Sequence, residues 1–102
     1  MKNFNELSNI MAGRYNFLSR KQRQDETWDE FATPLILLVT SCNYEKPQIP
    51  LRDQFVLHIF DDHAREKLLD EAQKDANRLT FQRAVNLIKN FEATKQQKNN
   101  MK

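Results

Sequence analysis

The chain has 102 residues, 39% of them hydrophobic and 29% charged, with a formal net charge of +2. That is enough for one modest core and too little charge imbalance to identify a partner by itself. A single Cys excludes an internal disulfide and a CxxC zinc site, and one Gly with three Pro leaves little turn chemistry for a sandwich or barrel. The longest apolar stretch, residues 34–39, is far too short to span a bilayer.

In chain order, Phe4, Leu7, Met11, Tyr15 and Leu18 recur at helical spacing, so the first twenty residues read as helix. Gly13 is expected to divide them into a short arm, 1–13, and a helix over about 14–22 whose apolar face also carries Ile10 and Phe17. Residues 21–39 then pass from the most charged to the most apolar part of the chain. Thr27 with Glu30 has the form of a capping box, and Asp25, Glu26 and Asp29 crowd the positive end of the helix it would start. Trp28, Phe31, Leu35 and Leu38 make one stripe behind that cap. Pro34 cannot donate to the Glu30 carbonyl and is expected to kink the helix. A buried strand over 35–39 is the alternative, but no second strand-like run exists to pair with it.

Residues 42–50 have loop composition. A third helix is expected from near Pro50, with Leu51, Phe55 and Ile59 on one stripe, Val56 and Phe60 on another, and Leu57 beside them. A small bundle covers one such stripe more readily than two. Either the later helices cover both, or Val56, Leu57 and Phe60 face a partner, a second copy being the commonest. Asp61 or Asp62 would cap a short fourth helix carrying Ala64, Leu68, Leu69 and Ala72. Thr80 would cap the last, with Phe81, Ala84, Val85, Ile88 and Phe91 on one face, and residues 94–102 read as a disordered basic tail. The fold class is all-α: a compact bundle of about five short helices.

No constellation suggests catalysis. His58 and His63 are five apart and lack a third ligand, Cys42 has no neighbouring His, and no phosphate-binding loop or nucleophile motif is present. The chain therefore reads as a non-enzyme without cofactor or metal. Basic residues gather near both ends: Arg14, Arg20, Lys21 and Arg23 in one group, Lys89, Lys95, Lys98 and Lys102 in the other. The tail lysines Lys95, Lys98 and Lys102 are candidate non-specific nucleic-acid contacts.

Three runs in order, RYNFLSRKQRQDETWDEFATPLILLVTSCNY, LRDQFVLHIFDDHAREKLLDEA and LTFQRAVNLIKNFEATKQ, resemble the capsid region of Gag from gypsy-class long-terminal-repeat retrotransposons, in particular its C-terminal capsid domain. The resemblance covers residues 14–95. It implies a retroviral capsid C-terminal-domain-like fold over 14–93, preceded by an arm or interdomain linker. Gln22, Glu26, Trp28 and Phe31 fall on the polar and aromatic positions of the major homology region, whose polar groups form a hydrogen-bond network inside the domain. Arg23 stands where retroviral forms usually have glycine, and Pro34 where they usually have arginine, so the network must be incomplete or differently closed here. The function implied is structural: homodimerisation and assembly of a cytoplasmic, virus-like particle shell, beside an N-terminal capsid domain of a longer Gag, with RNA engaged only indirectly or weakly and no membrane span. A domesticated Gag-derived or SCAN-like interaction module and an RNA-binding helical module are the alternatives.

Overall fold

The computed structural model describes residues 2–75 and 78–100, with 2–5 and 96–100 described as backbone only. Five helices make up the regular structure of the described residues: α1 (Lys2–Ser19), α2 (Trp28–Val39), α3 (Gln48–His58), α4 (Asp62–Lys74) and α5 (Phe81–Asn100). Local chemistry explains the starts of four of them. Thr27 and Glu30 form the complete capping box of α2, the Thr27 N–H donating to Glu30 Oε1 at 2.9 Å and the Glu30 N–H to Thr27 Oγ1 at 3.4 Å. Asp61, rather than Asp62, caps α4 by accepting the Ala64 N–H at 3.0 Å, and Thr80 accepts the Arg83 N–H at 3.1 Å at the start of α5. Pro50 sits in the first turn of α3, where its missing N–H costs nothing.

α3 is the hub. It packs against α2, α4 and α5, and α1 packs mainly on α2. The centre is aromatic: Phe55 is stacked on Phe31 with centroids 5.7 Å apart and meets Phe81 edge-on at 5.6 Å. Leu35, Leu51, Leu68, Ala84 and Ile88 are among the residues that extend this core, and residues 31–39, including Pro34, belong to one continuous helix.

Three expectations need correcting. Gly13 does not divide the first segment; α1 runs unbroken to Ser19. Glycine is there for closeness, because a Cβ on it would lie 2.7 Å from the Ser41 carbonyl oxygen. Arg14 secures the same junction, donating from Nε to the Cys42 carbonyl at 2.8 Å and lying 4.5 Å from the Tyr44 ring centroid. It thus serves the orphan carbonyls that follow α2, where a cation is favourable. Gly13→Ala should therefore destabilise the domain by about 1 kcal/mol, since overpacking against backbone costs roughly 1–3 kcal/mol and outweighs the ~1 kcal/mol helix preference of alanine. A shift of the urea midpoint to lower concentration checks it; an unchanged or raised midpoint refutes it.

The second correction concerns residues 94–102, expected to be disordered. Residues 94–100 continue α5, and 101–102 lie outside the described residues. Lysine and glutamine are good helix formers, and extending an existing helix adds a hydrogen bond for each residue fixed. The third concerns α3, which ends at His58; Ile59 is extended, so Phe60 is not on the helix at all.

Candidate functional site

The densest set of long-range polar contacts lies where the segment 20–27 passes between the end of α1 and the end of α3. Arg20 and Glu26 form a two-pronged pair, Nη1 to Oε1 at 2.9 Å and Nη2 to Oε2 at 2.5 Å. The Arg23 N–H adds a third donor to Glu26 at 2.9 Å. Bidentate geometry and charge make these strong hydrogen bonds. The Arg20 guanidinium, with the Arg23 N–H and the charges of both arginines, holds the Glu26 carboxyl at about 2 despite the opposing effect of its partial burial. The Glu26 carboxylate in turn raises Arg20.

Gln22 joins this segment to α3. Its main-chain N–H donates to the His58 carbonyl at 3.0 Å, and its side-chain oxygen accepts the Phe60 N–H at 2.8 Å. Its amide nitrogen donates to the Glu26 carbonyl at 2.9 Å. Gln54, the one buried polar side chain among the described residues, reaches back from α3 to the Leu18 and Arg20 carbonyls at 3.2 and 2.8 Å. The closing carbonyls of α1 and α3 are thus supplied with donors by residues distant in sequence. Arg20 also reaches the Glu30 carbonyl at 3.4 Å. That oxygen is the one deprived of its helical donor by Pro34. Pro34 and Arg20 are two parts of one arrangement.

Of the residues singled out in the sequence, Gln22 and Glu26 are partly covered and fully engaged. Trp28 packs at the edge of the core and Phe31 is completely buried, with Arg20 5.6 Å from its ring centroid. Val56 is not on an open face: it is only 4% exposed, within the core. Leu57 and Phe60 are about half exposed and stay available. Phe60 is held beside the network by its own N–H. Lys95 is paired with Asp61 at 3.2 Å, tying α5 to the cap of α4; the side chains of Lys98 and Lys102 lie outside the described residues. Arg14 and Arg20, read as members of a basic face, are spent on internal contacts. Arg20 and Gln54 were missed as network members. Their partners are separated from them by a loop or by some 35 residues, and no periodicity marks such a pairing.

Both polar atoms of the Gln22 side-chain amide are engaged by neighbours, and Glu26 with its three donors stays ionised at neutral pH. Such a set braces; it does not offer an acid or base near neutrality. Among the described residues there is no group of three or more His, Cys, Asp or Glu suited to a metal, and no helix is long and apolar enough to cross a membrane. No protein-family model, curated protein or solved structure matches the chain.

Proposed function

We propose that this chain is a Gag-like capsid domain whose work is homodimerisation and shell assembly of an intracellular particle. The observation that carries the reading is the engagement of Gln22 and Glu26, at their two motif positions, in a hydrogen-bond network internal to the fold. The departures in the motif are compatible with it. The guanidinium that retroviral forms draw from the position of Pro34 comes here from Arg20, on the other side of Glu26. The network braces the segment carrying Phe60, and Leu57 with Phe60 offers apolar surface at that end of α3 for a second copy. The internal use of Arg14 and Arg20 weakens the RNA-binding alternative.

Sedimentation equilibrium over a concentration series tests this reading. The wild-type chain should self-associate, and Leu57→Asp or Phe60→Asp should each weaken association by roughly thirtyfold or more, as for a central contact that must now bury a carboxylate. Val56→Asp does not serve as a surface probe, because it would place a charge in the core. A wild-type chain that remains monomeric at millimolar concentration, or Leu57→Asp and Phe60→Asp variants that associate as the wild type does, would refute the proposal.

A further inference from the structure

The apolar stripe of α1 faces outward. Leu7 is 59% exposed, Met11 56%, Tyr15 72% and Leu18 52%, while the side turned to the bundle is formed by Gly13 and Phe17, with Ile10 partly covered. At 3.6 residues per turn the four exposed side chains fall within an arc of about 80°. A continuous face of this size on an 18-residue helix that packs mainly on α2 is not explained by the fold of one chain.

Its spacing identifies the occupant. In the sequence the stripe residues are Phe4, Leu7, Met11, Tyr15 and Leu18, separated by three, four, four and three positions. The order of intervals is the same read in either direction about Met11. We propose that this face pairs with the same face of a second copy, α1 against α1 and antiparallel, about a two-fold axis at Met11. In that register Met11 meets Met11, and each Leu7 meets the other chain's Tyr15. An isologous contact requires such self-complementarity, whereas an unrelated partner gives no reason for it. Four large side chains, each offering on the order of 120 Å², amount to about 1,000 Å² over two copies, the size at which specific interfaces begin.

The contact follows from α1 alone; only its use rests on the assembly reading. With the Leu57–Phe60 face it would give each chain two different self-contacts, and two such contacts link chains into extended or closed arrays instead of stopping at a pair.

Disulfide trapping at single introduced cysteines tests both the surface and its register, since Cys42 is buried and does not compete in the folded chain. Met11→Cys should form a covalent dimer roughly tenfold or more faster than Asn9→Cys, an exposed position away from the stripe. A mixture of Leu7→Cys and Tyr15→Cys chains should cross-link faster than either chain alone, by a similar factor. Trapping of Met11→Cys no faster than Asn9→Cys overturns the proposal, as does cross-linking of Leu7→Cys alone at the rate of the mixture, which would mean parallel pairing. Repeating the Met11→Cys measurement in a Leu57→Asp chain separates the two surfaces: trapping should persist there even if the α3 contact is lost. Should a cysteine variant fail to fold, Met11→Lys gives a second reading, with a dissociation constant raised roughly tenfold in sedimentation. A Met11→Lys chain associating as tightly as the wild type overturns the proposal.

Discussion

Replacing Arg20 by methionine should lower the stability of the domain by about 3 kcal/mol, measured as the loss in urea unfolding free energy. Methionine keeps apolar contact with Phe31 but removes both hydrogen bonds to Glu26, leaving that partly covered carboxylate with the Arg23 N–H. A hydrogen bond to a charged group contributes about 1.5–3 kcal/mol, and stranding a covered charge brings the loss towards the upper end. The pH dependence identifies the cause. Glu26 is depressed from 4.5 to about 2 in the folded chain, so its stabilisation is complete above the ordinary carboxylate range and lost as pH falls from about 4.5 through about 2. Asp61 and Asp29 are also lowered, by the Ala64 N–H and by the Thr27 hydroxyl respectively, and lose stabilisation on acidification in both proteins. The difference between wild type and Arg20→Met therefore isolates Glu26, and it should shrink on acidification. A difference independent of pH between 5 and 2 would assign the loss to packing instead. Pro34→Ala should recover part of the loss in the Arg20→Met chain, because alanine returns a main-chain donor to the Glu30 carbonyl.

Phe55→Ala should be costlier still, at about 4 kcal/mol, from lost burial, the cavity left behind and two aromatic contacts. Phe55 is fully buried between Phe31 and Phe81, on the helix that contacts α2, α4 and α5. A domain of this size has about 5–15 kcal/mol in all, so one substitution removes a large share of it. A fall in unfolding free energy of less than about 2 kcal/mol would show that the neighbouring helices can collapse onto the space, contrary to the close packing described.

What could be read from the sequence was mainly local. The Thr27–Glu30 box, a cap at Asp61 or Asp62, the Thr80 cap and the helical class follow from residues three or four apart, whose physics needs no knowledge of the rest of the chain. Periodicity was a weaker guide to sides than to elements. It identified the stripe of α1 as helical, but a stripe cannot say whether a neighbour exists to cover it, and Leu7, Met11, Tyr15 and Leu18 face outward. In α3 the same reasoning carried the helical period past its end. The chain becomes extended at Ile59, so Phe60 does not continue a stripe with Val56, which belongs to the core. Pro34 looked like a flaw while its carbonyl partner was considered only within its own helix. Arg20 supplies the missing donor from outside, a relation that no sequence interval records.

Burial of Cys42 gives the protein an internal clock. It is the only cysteine, is fully buried, donates its thiol proton to the Leu38 carbonyl, and has its ionisation pushed up by desolvation. A thiol reagent reaches it only when the structure opens. At low reagent concentration the alkylation rate follows the population of the open form, and at saturation it follows the opening rate itself. The Cys42 main chain is held by Arg14 of α1, so detachment of that helix and unfolding of the whole bundle could report through the same atom. Comparing alkylation with the global unfolding rate would tell whether α1 leaves on its own, and hence whether the face it presents to a second copy belongs to a helix fixed in place or one free to change its seat.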